Sequence, residues 1–197
     1  MDYEKQLAGS FYEVLREADG LYAGGGRLEQ AYRQLAERLG ELKIAHAVVG
    51  GYALILHGVR RFTEDVDLLV TEDGLRRLRE ALVGRGYTEI PGNARDIRHV
   101  ATGVRIEFLV AGQYPGDGRE KPVVFPDPTA AAVEVEGIRV LSLDRLIELK
   151  LASGMTAKGR LQDLADVQRL IDVHHLAASY AERLSPYVRE AFLGLIG

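Results

Sequence analysis

Polar and apolar positions alternate from Thr63 to Thr71, so an extended chain would carry Val66, Leu68 and Val70 on one face and Thr63, Asp65, Asp67 and Thr71 on the other. That period predicts a strand. Upstream, the apolar run Ile44 to Val49 reads as a second strand, Gly50 and Gly51 break it, and Tyr52 to His57 reads as a short helix closed by Gly58. Helical spacing follows over roughly Asp73 to Arg85. Then come "GYTEI", "IRHVATG" and "VRIEFLV", which read as strands, the last two turning around Thr102-Gly103. The stretch Ala111 to Thr129 is rich in Gly, Pro and charge, and is long for a structureless connection. "VEVEGIRV" is a further hairpin, and from Ser142 onward the pattern is helical to the end. Residues 1 to 40 carry apolar positions at helical spacing, with "YAGGG" at 22 to 26 as a break between two helices.

These elements predict an α/β (α+β) fold with a mixed sheet flanked by helices. The expected division is an N-terminal helical segment over 1 to 40, an α/β core over 41 to 140 and a C-terminal helical region over 141 to 197 that completes the site. The apolar fraction of 47% over 197 residues suffices for one sizeable core. The absence of Cys excludes disulfides, thiolate metal sites and Cys nucleophiles. No apolar run is long enough to span a bilayer and the N-terminus lacks the apolar centre of a signal peptide, so a cytoplasmic protein with no membrane partner is expected. A net charge of −4 gives no global attraction to nucleic acid.

The chemistry lies in the strand with two aspartates. Asp is depleted in strands, and Asp65 and Asp67 point to the same side, where their charges repel. An ordinary half-buried strand would account for them alone. The preceding glycines change the picture, because Gly-Gly at a helix entry lets backbone approach a ligand while the free N–H groups of the first turn favour phosphate. A phosphate nest beside paired carboxylates is what a magnesium-triphosphate site requires.

Gly50-Gly51, a short helix and Asp65-Val66-Asp67 together resemble the signature of the polymerase-β-type nucleotidyltransferase superfamily. "LSLDRLIELKLASG" followed by "KGRLQDLADVQRLI" is similar to the C-terminal part of the abortive-infection nucleotidyltransferases, which include toxins of type IV toxin-antitoxin pairs. The likeness spans roughly Ile44 to Asp172 at the level of motifs.

The resemblance implies a third carboxylate on a neighbouring strand, and Glu107 in "VRIEFLV" is the candidate, since Arg105, Glu107 and Leu109 share one face. A solvent-facing Glu107 paired with Arg105 or Arg98 is the alternative. Asp65, Asp67 and Glu107 are then the expected metal-binding and catalytic residues, with Mg2+ or Mn2+ as cofactor and a nucleoside triphosphate as substrate. Gly50 and Gly51 would cradle phosphates. Lys150 matches a lysine of the toxin-like branch that is thought to bind nucleotide phosphate, although at the end of a helix running from Ser142 to Gly154 it would also complement the dipole. Asp163 shares a helical stripe with Val167 and Leu170, so it points inward and needs a partner such as Lys150 or an Arg. Asp166 reads as an exposed charge, Arg60 and Arg61 as solvated loop charges with phosphate contact as the alternative, His57 as a cap, and His174-His175 as no metal site.

The implied reaction moves a nucleoside monophosphate to an acceptor and releases pyrophosphate. The acceptor is left open among RNA such as tRNA, protein and a small aminoglycoside-like molecule, and an antitoxin would be a partner if the chain is a toxin. The rival from another class is a non-catalytic nucleotide- or partner-binding module of the same fold.

Overall fold

In the computed structural model, which describes residues 25–196, the period-two segments all enter one sheet. Its strands are β1 (His46–Val48), β2 (Asp65–Val70), β3 (Tyr87–Ile90), β4 (Asn93–His99), β5 (Arg105–Val110), β6 (Ala132–Val135) and β7 (Ile138–Leu141). They lie in the order β3-β4-β5-β2-β1-β7-β6. The sheet is mixed as expected: β2 with β5 and β1 with β7 run parallel, and the remaining neighbours antiparallel.

Val66, Leu68, Ile106 and Phe108 from the two central strands are fully buried. Each such side chain contributes about 1.5–3 kcal/mol by leaving water. On the alternate face, Asp65, Asp67, Arg105 and Glu107 stay half-buried at the start of β2 and β5. The apolar period thus orients the polar one.

Helix α1 (Arg27–Glu41) buries Leu28, Ala31, Tyr32, Leu35 and Leu39, the i, i+3, i+4, i+7 stripe of an amphipathic helix. The first of the two helices expected over 1 to 40 lies outside the described residues. Helix α2 (Gly50–Leu56) links β1 to β2. Helix α3 (Glu72–Leu82) is capped by the Thr71 hydroxyl, which accepts from the Gly74 N–H at 3.0 Å, with Glu72 and Asp73 facing the positive end of its dipole. It stops short of Arg85 because Val83 is extended and Gly84 and Gly86 have positive φ. A one-turn helix, α4 (Pro128–Ala131), precedes the β6–β7 hairpin.

The C-terminal region is a helical hairpin, α5 (Leu143–Thr156) and α6 (Leu161–His174), followed by 3-10 turns at Ala178–Arg183 and Pro186–Val188 and a final short helix, α7 (Arg189–Leu193). The expected end of α5 at Gly154 is corrected. The helix runs on to Thr156, and Gly154 serves close packing: a Cβ there would stand 2.6 Å from Leu164 Cδ2 of α6. Lys150 is therefore in mid-helix and does not complement the last turn. Among the described residues, no helix is long and apolar enough to cross a membrane.

Candidate active site

Because β1 and β2 are antiparallel, with Val48 opposite Leu68, the chain leaving β1 passes the start of β2. The Val49 N–H donates to the Asp67 carbonyl at 3.0 Å, and Gly50 and Gly51 begin α2 directly beside the Asp67 side chain. Gly50 has a φ of 60°, and a Cβ on it would fall 1.8 Å from Asp67 Oδ2. Only glycine satisfies both the conformation and the approach. The Gly51 N–H donates to Asp67 Oδ2 at 3.3 Å, so in this structure the helix entry faces a carboxylate.

β2 and β5 are parallel with Asp67 paired to Glu107 and Asp65 to Arg105. Period and register together gather Asp65, Asp67 and Glu107, one carboxylate oxygen of each lying within 4.8 Å of the others. The Thr63 hydroxyl donates to Asp65 Oδ1 at 3.1 Å and orients it. Burial, followed by the charges of Asp65 and Glu107, pushes the Asp67 carboxyl up to about 8, against partial relief from the Gly51 N–H and Lys150. Burial and Asp96 also raise Glu107, while Arg105 pulls it down. Three converging oxygen donors, two of them raised by burial and neighbouring acids, suit a hard divalent cation such as Mg2+ or Mn2+.

Glu107 also answers its alternative reading in part. Arg105 Nη2 lies 3.5 Å from Glu107 Oε2, but its short bonds go to buried Asp96, with Nε at 3.0 Å and Nη2 at 2.5 Å. The arginine is thus held by Asp96 at the edge of the trio, and Glu107 keeps its place opposite Asp67.

The facing wall is built by α5 and α6. Lys150 Nζ donates to Asp163 Oδ1 and to Asp166 Oδ2, both at 2.9 Å, and the Ser153 hydroxyl donates to Asp163 Oδ2 at 2.7 Å. Gln162 Nε2 donates to Asp166 Oδ1 at 3.0 Å, and Arg61 pairs with Asp166 through Nη1 and Oδ2. The inward expectation for Asp163 agrees with this geometry. Two expectations are overturned: Asp166 is fully buried rather than solvated, and Arg61 leaves the loop before β2 to neutralise it. Positions 163, 166, 167 and 170 form one face at i, i+3, i+4 and i+7 spacing, so both aspartates lie on the buried stripe. Lys150 itself is buried.

Between the walls is a cleft of about 240 Å³ that reaches Gly50, Gly51, the three carboxylates, Lys150 and Asp163. Phe125 from the Ala111–Thr129 connection, with Leu146 and Leu149 of α5, gives it an apolar side. Arg160, at the entry to α6, also lines it. Phe125 carries no periodic or motif signal in the sequence, and Arg160, although inside the quoted "KGRLQDLADVQRLI" stretch, is not singled out there by period or spacing. Arg60 is exposed and does not line the cleft. His57 closes α2 and its Nε2 is bonded to the Leu141 carbonyl at 2.8 Å, while His174 Nε2 is bonded to the His57 carbonyl at 2.9 Å. These histidines tie the C-terminal helices to the core and gather no ligand set.

No family model matches the chain, and no curated protein matches it. Solved structures do. ANT(2")-Ia in complex with adenylyl-2"-tobramycin superposes with a TM-score of 0.55 at 14% identity, covering 85% of this chain and 98% of that one. The solution structure of the antibiotic-resistance factor ANT(2")-Ia gives 0.52 at 14% identity over 83% of this chain and 89% of that one. An antigenic nucleotidyltransferase-like protein from Paracoccidioides brasiliensis gives 0.44 at 18% identity, covering 71% of this chain and 72% of that one. At this identity the likeness shows the fold alone and does not reach the abortive-infection branch. The chain has a nucleotidyltransferase fold, with Asp65, Asp67 and Glu107 converging in its central cleft.

Proposed function

We propose that the protein is a metal-dependent nucleotidyltransferase that moves a nucleoside monophosphate from a nucleoside triphosphate to an acceptor hydroxyl or phosphate. The observation that carries this reading is the register of Asp67 with Glu107 beneath Gly50 and Gly51, which sets three carboxylates against a helix entry. Asp65, Asp67 and Glu107 would hold Mg2+ or Mn2+. When bound, such a cation supplies charge neutralisation at the phosphates and lowers the pKa of an oxygen it touches.

The chain's own groups do the rest. Gly50 and Gly51, which carry no side chain at the opening of α2, let phosphate oxygens approach, and the apolar side of the cleft at Phe125 and Leu149 receives the base. The acceptor oxygen attacks the α-phosphorus in line, the bond to the bridging oxygen breaks, and pyrophosphate carries away the electron pair. Glu107, raised by burial, takes the proton of an acceptor hydroxyl. Lys150, Asp163, Asp166 and Arg61 hold α5 and α6 against the sheet so that the cleft keeps its width.

The test is incubation with radiolabelled nucleoside triphosphates, Mg2+ or Mn2+, and cell extract. Label should pass to an acceptor with wild-type protein and not with Asp67→Asn. Binding of triphosphate without transfer to any acceptor would favour the non-catalytic module. The choice among RNA, protein and small-molecule acceptors, and a role as a toxin silenced by an antitoxin, rest on the resemblance of the motifs. Growth arrest on expression, lost in Asp67→Asn, is the outcome the toxin role requires.

A further inference from the structure

We propose that Arg160 is the cation that takes the phosphate chain of the triphosphate, the role that motif resemblance assigns to Lys150; the inference rests on the nucleotidyltransferase reading of the cleft. Three cations line the cleft: Arg61, Lys150 and Arg160. Two are spent internally. Lys150 Nζ is shared between Asp163 and Asp166 at 2.9 Å each, and Arg61 is paired with Asp166. Turning Lys150 toward a phosphate would leave Asp163 without a cationic partner and buried Asp166 with Arg61 alone, which a low-dielectric interior penalises.

Arg160 has the opposite situation. It is exposed, and its guanidinium makes no ion pair or hydrogen bond among the described residues. Its backbone is fixed on both sides, the N–H donating to the Ala157 carbonyl at 3.0 Å and the carbonyl accepting from the Asp163 N–H at 2.9 Å. A long side chain on an anchored Cα thus lines the same cleft as Glu107. Arg160 is also the N-cap residue of α6, a helix of 14 residues that no side chain caps. A planar guanidinium is always charged and grips phosphate oxygens through two parallel N–H bonds, which suits a chain entering from solvent and a pyrophosphate leaving to it.

The experiment is calorimetric titration with magnesium tripolyphosphate, a probe that has the phosphate chain and no base, on wild type, Arg160→Ala and Arg160→Lys, with melting temperatures measured alongside. The expected result is binding by wild type, weakening of about ten- to a hundredfold in Arg160→Ala, the value of a charge-assisted hydrogen bond, and partial recovery in Arg160→Lys. Melting temperatures should stay together, since the side chain supports nothing in the folded protein. Wild-type affinity in Arg160→Ala, or no binding by wild type, overturns the inference. Arg160-dependent binding in a protein that transfers no nucleotide would remove the enzymatic reading and leave the inference standing. Nucleotide transfer together with wild-type binding by Arg160→Ala would do the reverse.

Discussion

Asp67 is where a single residue works against its own fold. Its carboxyl is pushed up to about 8 by burial and by Asp65 and Glu107, against an ordinary value of 3.8 in the unfolded chain. Between those two values the folded protein retains a proton that the unfolded chain has released. Stability of the metal-free protein therefore falls as pH rises through that window, by up to about 1.4 kcal/mol per pH unit from this one group. In Asp67→Asn this contribution should disappear and leave the shallower slope of raised Glu107, and denaturant melts in a chelator at several pH values would measure it; equal slopes in both proteins would refute the electrostatic account. Gly50 sets a second expectation at this scale. Gly50→Ala combines positive φ with a Cβ that would fall on the Asp67 carboxylate, so a loss of at least about 1–3 kcal/mol is expected from backbone strain alone. Chemical denaturation of the purified variant would read it, and a near-neutral result would mean that the helix entry can shift.

At the scale of elements, the α5–α6 hairpin is held by a buried charge network, and its cations and anions should be uneven in isolation and compensating in pairs. Asp166→Ala removes the fully buried partner of both Lys150 and Arg61 and should cost about 3–5 kcal/mol, the value of leaving buried charge uncompensated. Lys150→Ala should also destabilise strongly, where an exposed helix-end lysine would cost only about 0.3–1 kcal/mol. A double variant, Lys150→Ala with Asp166→Ala, should cost less than the two single losses together, and a thermodynamic cycle that came out additive would show that the two residues do not interact. This hairpin also marks the limit of what the sequence discloses. Strands β2 and β5 are legible because period two separates Val66 and Ile106 from Asp67 and Glu107, and a strand's face follows from alternation alone. On α6 the stripe holds Asp166 as well as Asp163, but a fully buried carboxylate needs a counter-charge, and Arg61, which supplies it with Lys150, is more than a hundred residues away in sequence. Gly154 shows the same limit: a glycine near a helix end reads as a terminator, whereas here it admits Leu164 of the neighbouring helix. Phe125 and Arg160 become part of the cleft only through the closure of long-range contacts that no local period encodes.

At the scale of the whole molecule, the cleft divides the sheet from the helical hairpin, so a ligand bound between them must couple their stabilities. Carboxylates on β2 and β5 belong to one side, and Lys150, Asp163 and Arg160 belong to the other. Without ligand, the sheet side carries mutual repulsion and the hairpin is joined to it chiefly through Arg61 and the apolar core. Magnesium with a nucleoside triphosphate would neutralise the first and bridge to the second. The stabilisation follows RT ln(1 + [L]/Kd), about 2.7 kcal/mol at a hundredfold excess over Kd. Because the ligand spans both units, wild-type unfolding should remain a single transition that moves upward as a whole. Asp67→Asn should start as stable as wild type or more so near neutral pH, yet gain far less from the same ligand. Differential scanning calorimetry with and without magnesium triphosphate measures both quantities in one series. An equal upward shift in wild type and Asp67→Asn would remove Asp67 from the metal site, and a transition that splits into two would show the ligand gripping one wall of the cleft alone.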